Sequence, residues 1–380
     1  MNNKKQILEG SRAIALTVNN IGPDVISAYP ITPQTHIVED LAKIKANGEG
    51  NYEYVRAESE FTAASIVLGA SATGSRVYSA TSSQGLLLMT EVVYNISGLR
   101  LPIVMTLVNR AISSPINIWN DQQDAMAIRD AGWIMFFAEN NQEAIEQHVL
   151  AYKIAEETKI PVFVNIDGFI LSHCYEAVEI PSKKDINKFL GKYKAKSGEY
   201  LDTKNPVTIG AFMAPNNYQS SRENLNKDFN ASIKKINNNY SDWKKTINQK
   251  CKKNDNGLFE YTGEKKVNTI VVAMGSVIGT IKSALKNEKN VGILKIKTYR
   301  PFPHQEIYDI IKEVGAKNII VLEKSVSIGS FSPLYSDICA LNKKQTIKNF
   351  ISGLGGKDIK ESDIKNIIKK FNSYKNLNFI

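Results

Sequence analysis

Short apolar runs alternate with helical patterns from residue 5 to about residue 175, and this alternation limits the possible folds more than any other feature of the chain. Such a pattern is typical of an open, mostly parallel sheet with helices on both faces. The predicted strands are 24–29, 52–56, 76–81, 102–108, 134–137 and 161–165. The predicted helices between them are 9–20, 35–45, 60–73, 84–97, 122–130 and 141–157. The expected fold class is therefore α/β.

A second α/β pattern begins near residue 264 and predicts a second domain. Between the two patterns, residues 181–204 are rich in lysine and indicate no clear element, 205–212 are predicted as an edge strand, and 215–253 as a helical connector. The second pattern continues with predicted helices 277–287 and 304–314 and predicted strands 291–296 and 318–322. We therefore predict two domains, 1–262 and 263–380.

The composition is that of a soluble globular protein, with 43% hydrophobic and 23% charged residues. The longest apolar runs, such as 101–108, are far short of a membrane span, and residues 1–9 lack the apolar stretch of a signal peptide. We therefore expect a cytoplasmic protein that makes no membrane contact.

The net charge of +10 is unevenly distributed. Residues 1–180 carry 12 Lys+Arg against 20 Asp+Glu, whereas residues 181–380 carry 36 against 18. A basic half can dock an acidic partner or nucleic acid. Here, however, the excess is nearly all lysine interleaved with asparagine, and the arginine and aromatic pattern of nucleic-acid surfaces is scarce. We expect a solvated lysine-rich surface and no nucleic-acid partner.

Several site types are not indicated. The three cysteines lie far apart without a Cys-x-x-Cys pair, so no iron–sulfur cluster is expected on this chain. The four histidines are too scattered in sequence to predict a metal site. No Gly-x-Gly-x-x-Gly follows a first strand and no P-loop is present. Glycine-rich residues 353–356 fit a tight turn better than a phosphate cradle.

Polar segments follow four predicted strands in succession. Thr32 lies between two prolines in 29–35, Glu58 and Glu60 open the helix after the second strand, residues 80–85 contain Ser82 and Ser83, and Arg110 begins the long loop 109–124. Because the carboxyl ends of parallel strands meet at one edge of the sheet, these segments predict a crevice, which is the usual ligand site of such folds.

Each of these residues also has a purely structural interpretation. Thr32, Ser82 or Ser83 can cap the helix that follows it, because hydroxyl side chains are favoured caps. Glu58 and Glu60 suit the positive end of a helix dipole, and Arg110 can be an ordinary surface arginine. Their joint appearance at one sheet edge favours the functional interpretation.

The motifs at these positions resemble the alpha subunit of 2-oxoacid:ferredoxin oxidoreductases, most closely the pyruvate branch. The matching segments cover nearly the whole chain apart from about 182–262; they are 29–33, 58–60, 81–86, 109–121, 133, 138–143, 167–173, 272–276, 299–303 and 353–356. The resemblance implies a pyrimidine-binding domain of the thiamine-diphosphate type, with an open parallel sheet, followed by a transketolase C-terminal-like α/β domain.

The resemblance also implies an activity and partners. It predicts oxidative decarboxylation of a 2-oxoacid to acyl-coenzyme A and carbon dioxide with thiamine diphosphate, the electrons passing to ferredoxin. The partners implied are beta, gamma and delta-type subunits in a heterotetramer. The resemblance implies that Mg²⁺ and the [4Fe-4S] clusters belong to those subunits, and this sequence accordingly has no Gly-Asp-Gly motif and no cysteine cluster. This chain would contribute half of an active site.

The resemblance assigns roles residue by residue. Glu60 matches the carboxylate that hydrogen-bonds the pyrimidine nitrogen and drives its tautomer shift, and Glu58 remains its competitor, since alternation along an extended segment would point both to the same side. Arg110 and Thr32 match residues that bind the substrate carboxylate. Ser83, with the cofactor, and Asn117 or Asn120, with the substrate, are weaker assignments.

Two groups of alternatives remain open. Subunits of 2-oxoisovalerate or 2-oxoglutarate enzymes need the same Glu, Thr and Arg and differ in the wall that meets the tail of the substrate. A scaffold subunit without catalysis is the alternative from another class, although Glu60 and Arg110 are present.

Overall fold

The computed structural model describes residues 5–341 and 344–380, so the predicted ranges 1–262 and 263–380 include a few positions, 1–4 and 342–343, outside the described residues. The elements before residue 250 are β1 (Gln6–Glu9), α1 (Gly10–Ile21), β2 (Val25–Ala28), α2 (Thr35–Ala46), β3 (Glu53–Arg56), α3 (Glu60–Ala72), β4 (Val77–Thr81), α4 (Ser83–Leu88), α5 (Thr90–Gly98), β5 (Val104–Asn109), α6 (Gln123–Ala127), β6 (Ile134–Phe137), α7 (Asn141–Thr158), β7 (Val162–Asp167), β8 (Tyr175–Val178), α8 (Lys183–Leu190) and α9 (Pro215–Thr246).

Later in the chain the same alternation returns. The elements are β9 (Phe259–Thr262), β10 (Thr269–Ala273), α10 (Val277–Ala284), β11 (Val291–Ile296), β12 (Thr298–Arg300), α11 (His304–Val314), β13 (Asn318–Glu323), α12 (Pro333–Leu341), β14 (Thr346–Ile351), α13 (Glu361–Lys369) and β15 (Leu377–Phe379), with 3₁₀ turns at Leu354–Gly356 and Phe371–Ser373.

The strands form two large sheets and one small one. The seven-stranded sheet has the order β12-β6-β7-β5-β4-β2-β3 and is parallel except for β12. The six-stranded sheet has the order β15-β14-β13-β10-β11-β9 and is parallel except for β9. Strands β1 and β8 form an antiparallel pair. The predicted α/β fold class is confirmed.

One hydrophobic core joins the two large sheets. It contains buried side chains of β5 and β7, such as Val104 and Phe163, and of the six-stranded sheet, such as Ile270 and Val321. Trp133 stacks on Phe163 with ring centroids 4.0 Å apart. Within the described part of the chain, no helix has the length and apolarity required to cross a bilayer.

The structure differs from the predicted elements in several places. Residues 205–212 form no strand; the edge of the sheet beside β6 is taken instead by β12, and Phe212 is exposed. Residues 183–190, where no element was expected, form helix α8, because the Ser182 hydroxyl caps it through the Asp185 N–H at 3.1 Å. The connector helix ends at Thr246 instead of 253, and the predicted helix 84–97 is two helices that meet at Met89.

The two halves of the chain exchange one strand each. Strand β9 precedes the predicted boundary at residue 263 but pairs with β11 in the six-stranded sheet. Strand β12 follows the boundary but pairs with β6 in the seven-stranded sheet. The division at 262/263 therefore stays a prediction about domains. Each large sheet contains one strand from the other side of this boundary.

Candidate active site at the strand ends

The four predicted polar segments lie together at one edge of the seven-stranded sheet. Strands β5, β4, β2 and β3 are neighbours in that order and run parallel, so the segments that leave their carboxyl ends are adjacent. Two buried contacts connect the segments: the Gln34 side chain donates to the Ala80 carbonyl at 2.7 Å, and the Ser83 hydroxyl donates to the Ala111 carbonyl. The crevice predicted from the sequence thus has its walls in contact.

Glu60 is the first residue of α3, and the local sequence explains why the helix begins there. Ser59 has extended backbone geometry, and its hydroxyl accepts the Thr62 N–H at 3.2 Å as an N-cap. Small side chains such as Ala63 and Ala64 let α3 pack closely and are fully buried. As a result, the helix brings the Glu60 side chain into the protein, where only 7% of the residue is exposed.

The Glu60 carboxylate lies against Gly85. A Cβ atom on Gly85 would come within 2.6 Å of Glu60 Oε1 and 2.7 Å of Thr81 Oγ1, so only glycine leaves room for both groups. Among the described residues the Glu60 carboxylate has no hydrogen-bond or ion-pair partner, and the buried hydroxyls of Thr81 and Ser82 have none either. Buried polar groups are normally hydrogen-bonded. The Glu60 carboxylate and the Thr81 hydroxyl, which both lie beside Gly85, suit a ligand that offers hydrogen-bonding groups.

Glu58 has a different environment from Glu60. It is exposed, and the Thr62 hydroxyl donates to its carboxylate, which lowers the pKa of Glu58. The expectation that both carboxylates point to the same side is wrong, because β3 ends at Arg56 and the residues between the strand and α3 are not extended as a regular strand. Burial and the absence of a partner therefore support Glu60 over Glu58 as the cofactor ligand.

Arg110 connects two of the predicted loops. Its Nη1 donates to the Thr32 carbonyl at 2.8 Å and its Nε donates to the Asn117 carbonyl at 3.1 Å. Nη2 has no partner among the described residues. Burial lowers the pKa of Arg110, while the nearby Asp124 carboxylate raises it. The guanidinium stays protonated because its intrinsic pKa lies far above neutral pH. Part of the guanidinium fork is therefore free for an anionic ligand.

Thr32 presents a free hydroxyl at the same edge. The residue is exposed, and the residue that precedes α2 is Gln34, which makes no side-chain cap hydrogen bond. The alternative in which Thr32 caps this helix is therefore wrong. Pro33, next to Thr32, is buried, and a Cβ on Gly168 would come within 2.7 Å of it. Pro33 thus packs against the protein while Thr32 stays exposed.

Asp124 holds the ends of β4 and β5 together, and sequence analysis did not single it out. Its carboxylate accepts the backbone N–H groups of Ser83 and Arg110 at 3.1 and 3.0 Å and the side-chain N–H of Asn109 at 3.1 Å. Burial raises the pKa of Asp124 to about 7, although these donors lower it. The only available signal was its place at the end of the polar loop 109–124.

Ser83 stays a predicted cofactor ligand, but its present contacts are structural. The residue is fully buried with a φ of 41°, which is uncommon outside glycine, and its hydroxyl bonds the Ala111 carbonyl and the Gln84 side chain. Neither Ser83 nor Ser82 makes the side-chain cap proposed as the alternative, because α4 has no side-chain cap hydrogen bond.

Asn117 joins the long loop to the glycine-rich turn of the second half. Its Nδ2 donates to the Gly355 carbonyl at 3.1 Å and its Oδ1 accepts the Trp119 N–H at 2.7 Å. The Gly356 N–H donates to the Asn120 carbonyl at 2.7 Å, and a Cβ on Gly356 would come within 2.5 Å of Trp119. The turn at 353–356 thus positions the loop that carries the predicted substrate residues.

A buried polar network lies beneath this junction. The Lys324 ammonium donates to Asp167 at 2.9 Å and to the Asn120 side chain at 2.7 Å, and Gln122 donates to Asp167 at 3.2 Å. Ser276 also bonds Asp167. Burial raises the pKa of Asp167, but the charge of Lys324 outweighs this and lowers it below its ordinary value. Asn120 is therefore engaged in linking the two sheets.

The histidines are less scattered than the sequence suggested. His36 and His173 have ring centroids 4.5 Å apart, although 137 positions separate them in the chain. The sequence interpretation was wrong for this pair, because α2 and the segment after β7 begin at the same region of the sheet edge.

Comparison with known proteins places these observations in a family. Residues 17–241 match the family model described as pyruvate flavodoxin/ferredoxin oxidoreductase, thiamine diP-binding, and residues 267–364 match pyruvate:ferredoxin oxidoreductase core domain II. The chain is 44% identical to pyruvate synthase subunit PorA of Methanocaldococcus jannaschii, over 96% of this chain and 94% of that protein. It is 41% identical to the PorA subunit of Methanosarcina barkeri, over 97% and 92% of the two chains.

Two further proteins, with other 2-oxoacids in their names, are also similar to this chain. Ketoisovalerate oxidoreductase subunit VorA of Pyrococcus abyssi is 37% identical over 96% of this chain and 92% of that protein. The solved 2-oxoglutarate:ferredoxin oxidoreductase from Magnetococcus marinus has the same fold, with a TM-score of 0.73 and 22% identity, over 97% of this chain; the chain spans 65% of that protein's chain. The family models and the identities over nearly the full length show that the chain belongs to the pyruvate:ferredoxin oxidoreductase family, as its motifs predicted.

Proposed function

We propose that the chain is the subunit of a thiamine-diphosphate-dependent pyruvate:ferredoxin oxidoreductase that holds the pyrimidine ring of the cofactor and the carboxylate of the substrate. The observation that carries the proposal is the Glu60 carboxylate, which is buried and has no partner among the described residues. It lies in the region that matches the thiamine-diphosphate-binding family model. A buried carboxylate without a cation needs a donor, and a protonated pyrimidine nitrogen is one.

Thiamine diphosphate, when bound, supplies the electron sink that allows a 2-oxoacid to lose carbon dioxide. In this proposal Glu60 accepts the hydrogen bond from the pyrimidine nitrogen and stabilises its protonated form. The Thr81 hydroxyl, which is buried without a partner among the described residues, lies beside the Glu60 carboxylate at Gly85.

The substrate carboxylate is assigned to Arg110 and Thr32. The free Nη2 of Arg110 offers charged N–H donors, and the Thr32 hydroxyl is exposed on the loop that Arg110 holds through the Thr32 carbonyl. A guanidinium with a neighbouring hydroxyl suits a carboxylate beside a ketone. Asn117 and Ser83 stay as weaker assignments, since their side chains already make structural contacts.

The remaining parts of the reaction are assigned to partners. These 380 residues contain no Gly-Asp-Gly motif and no cysteine cluster, so the proposal places the diphosphate, Mg²⁺ and [4Fe-4S] clusters on beta, gamma and delta-type subunits. Coenzyme A receives the acyl group and ferredoxin the electrons. The proposal keeps the heterotetramer and the cytoplasmic location predicted from the sequence.

Pyruvate is the favoured substrate. The relatives named pyruvate synthase subunit are 44% and 41% identical, whereas the ketoisovalerate relative is 37% identical. A 2-oxoisovalerate or 2-oxoglutarate enzyme, and a scaffold subunit, remain the alternatives.

The test is an activity assay on the complex purified with its native partners. Reduction of a viologen dye should require both coenzyme A and a 2-oxoacid, with pyruvate preferred over 2-oxoisovalerate and 2-oxoglutarate, and the isolated chain should be inactive. If the complex prefers another of these acids, that acid and not pyruvate is the substrate. An intact, cluster-containing complex that reduces the dye with none of the acids would favour the scaffold alternative.

A further inference from the structure

A cluster of two imidazoles and a carboxylate lies next to the loop that carries Thr32. Glu9 is the last residue of β1, His36 is the second residue of α2, and His173 lies between β7 and β8. His36 Nδ1 is 2.6 Å from Glu9 Oε1, and the two histidine rings have centroids 4.5 Å apart. One ligand atom from each of the three residues lies within 4.8 Å of the others.

We propose that Glu9, His36 and His173 bind one divalent transition-metal ion of the Zn²⁺ class, with water completing the coordination. Two histidine nitrogens and one carboxylate oxygen are a known ligand set for zinc sites that keep an open position. Bonds of roughly 2.0–2.2 Å to each ligand require the more distant ligand atoms to come closer than the present outer limit of 4.8 Å. They also require His36 Nδ1 and Glu9 Oε1, now at a hydrogen-bond distance of 2.6 Å, to move apart if both bind the ion. His36 is exposed and the other two residues are half-buried, so solvent reaches the cluster.

The surroundings of His173 favour this role. A metal-bound histidine usually donates its second ring N–H to a neighbouring acceptor, which fixes the ring. The Ser172 hydroxyl lies 2.7 Å from His173 Nδ1 and also accepts the Phe169 N–H at 2.9 Å. The Ser172 carbonyl is held by the N–H and hydroxyl of Ser11, at 2.9 and 2.8 Å. With Nδ1–H directed to this hydroxyl, Nε2 is the free ligand atom.

The ion would connect segments that border the candidate active site. His36 directly follows 29–35, the loop with Thr32. The Phe169 ring lies between His173, at a centroid distance of 4.8 Å, and Trp119, at 4.7 Å, and Trp119 belongs to the long loop that begins at Arg110. A metal at this position therefore restrains both loops together.

The experiment is a Co²⁺ titration of the full-length chain after treatment with a chelator. Binding of one equivalent should produce visible d–d absorption, and Zn²⁺ should displace it. We expect His36→Gln and His173→Gln to abolish the high-affinity band, and Ser172→Ala to weaken binding about 10- to 100-fold, as for other residues that orient a metal ligand. The matched control is His304→Gln on α11, a histidine outside the cluster, which should bind as the wild type does.

Two further measurements make the result decisive. Circular dichroism reports whether each variant is folded, and X-ray absorption of the zinc-loaded wild type reads the ligands without any substitution; it should show two imidazoles and oxygen. A sulfur ligand would assign the metal to the adjacent exposed Cys174 instead, and the Cys174→Ser variant should keep the band. No stoichiometric Co²⁺ binding, or equal loss in His304→Gln, would overturn the proposal.

Discussion

The role proposed for Glu60 depends on its having no partner among the described residues. Its neighbour Glu58 is exposed and already bonded to the Thr62 hydroxyl, whereas Glu60 is buried and free among the described residues. A free buried carboxylate is in an unfavourable state until it receives a donor. We therefore expect the Glu60 carboxylate to be open to a hydrogen-bond donor from a ligand.

Replacing Glu60 by Gln should leave the complex assembled but slow turnover by several orders of magnitude, because an amide cannot stabilise a protonated pyrimidine as a carboxylate does. The measurement is hydrogen–deuterium exchange at the thiazolium C2 position, together with cofactor binding. Glu58→Gln is the matched control and should exchange at the wild-type rate. The reverse result would identify Glu58 as the catalytic carboxylate.

Arg110→Ala should lower kcat/KM for the 2-oxoacid about 30- to several thousand-fold, which corresponds to the roughly 2–5 kcal/mol lost when a charged, desolvated partner is removed. The structure adds that this variant also frees the carbonyls of Thr32 and Asn117, so part of the loss should come from loop mobility. Arg110→Lys should recover only a part, since it lacks the bidentate fork.

Thr32→Val changes the same site less and should lower kcat/KM for the 2-oxoacid by an amount equivalent to on the order of 1–2 kcal/mol, the contribution of one hydrogen bond to a charged group. Steady-state kinetics with the 2-oxoacid, measured beside thiamine diphosphate binding, distinguish a role in substrate binding from a structural role. If Thr32→Val is more harmful than Arg110→Ala, or if Arg110→Ala weakens the cofactor instead of the 2-oxoacid, then the arginine is structural and the substrate carboxylate is bound elsewhere.

At the scale of single residues, the sequence predicted those that follow strands in order along the chain. Thr32, Glu60, Ser83 and Arg110 each come soon after a recognisable strand, so topology alone brings them to one edge. Asp124 was missed because its role depends on N–H donors from two other segments. Contacts between distant segments carry no local pattern.

Helix α4 leaves space for the Glu60 and Thr81 side chains, because Gly85 has no side chain at the position that they occupy. We expect Gly85→Ala to fold with a small loss of stability but to displace the Glu60 carboxylate and reduce activity strongly. Gly98→Ala on α5 is the matched control, because nothing lies within 4 Å of its Cβ position. It should be neutral or stabilise the protein by up to about 1 kcal/mol.

Thermal unfolding and dye-reduction kinetics of the two glycine variants test this expectation. Wild-type activity in Gly85→Ala would show that the carboxylate does not need its present position.

At the scale of elements, the period of the apolar residues predicted most strands and helices of the two large sheets. The prediction failed where the formation of a strand depends on a neighbouring strand, because the period of the apolar residues does not show which strands pair. Residues 205–212 have a strand-like composition but pair with no strand among the described residues, and β12 takes the edge position beside β6. The antiparallel pair β1 and β8 was missed, since its strands are short, largely exposed and far apart in the chain.

Across the whole molecule, a cluster of lysines and carboxylates joins the two halves. Lys295 contacts Glu139, Glu143 and Glu260 at 2.8, 3.1 and 2.7 Å and is 6% exposed. Burial raises the pKa of Glu260, but the charge of Lys295 outweighs this and sets the pKa at about 2. Because this pKa is depressed, its contribution to stability is present above the ordinary carboxyl value and is lost as the pH falls toward 2.

Lys295→Met should therefore destabilise the protein at pH 7 by up to about 3–5 kcal/mol, since the three carboxylates lose one buried cation and keep only their contacts with Lys282 or Lys297. The gap between wild type and variant should narrow as the pH falls from about 5 to 3. Urea midpoints across this range give the measurement, and Lys289→Met, at an exposed lysine, is the control. A gap that does not change with pH would contradict the assignment of the Glu260 pKa to Lys295.

The sequence also placed the change between the two α/β patterns near residue 264 but could not show how the sheets share strands. The three-residue strand β12 is too short to have a period, and β9 lies just before the predicted boundary. Both pair antiparallel at the edge of a parallel sheet, and such pairing depends on the tertiary fold.

The exchange of β9 and β12 has a consequence for recombination between relatives. A chimaera joined between residues 241 and 267, where the two family matches leave a gap, would take β12 from one parent and its partner β6 from the other. It would also combine the turn at 353–356 of one parent with the Asn117 loop of the other. Gene segments that encode the two halves should therefore be inherited together. A sequence change on one side of the β12–β6 pair, or of the contact between the turn and the Asn117 loop, should be accompanied by a compensating change on the other side.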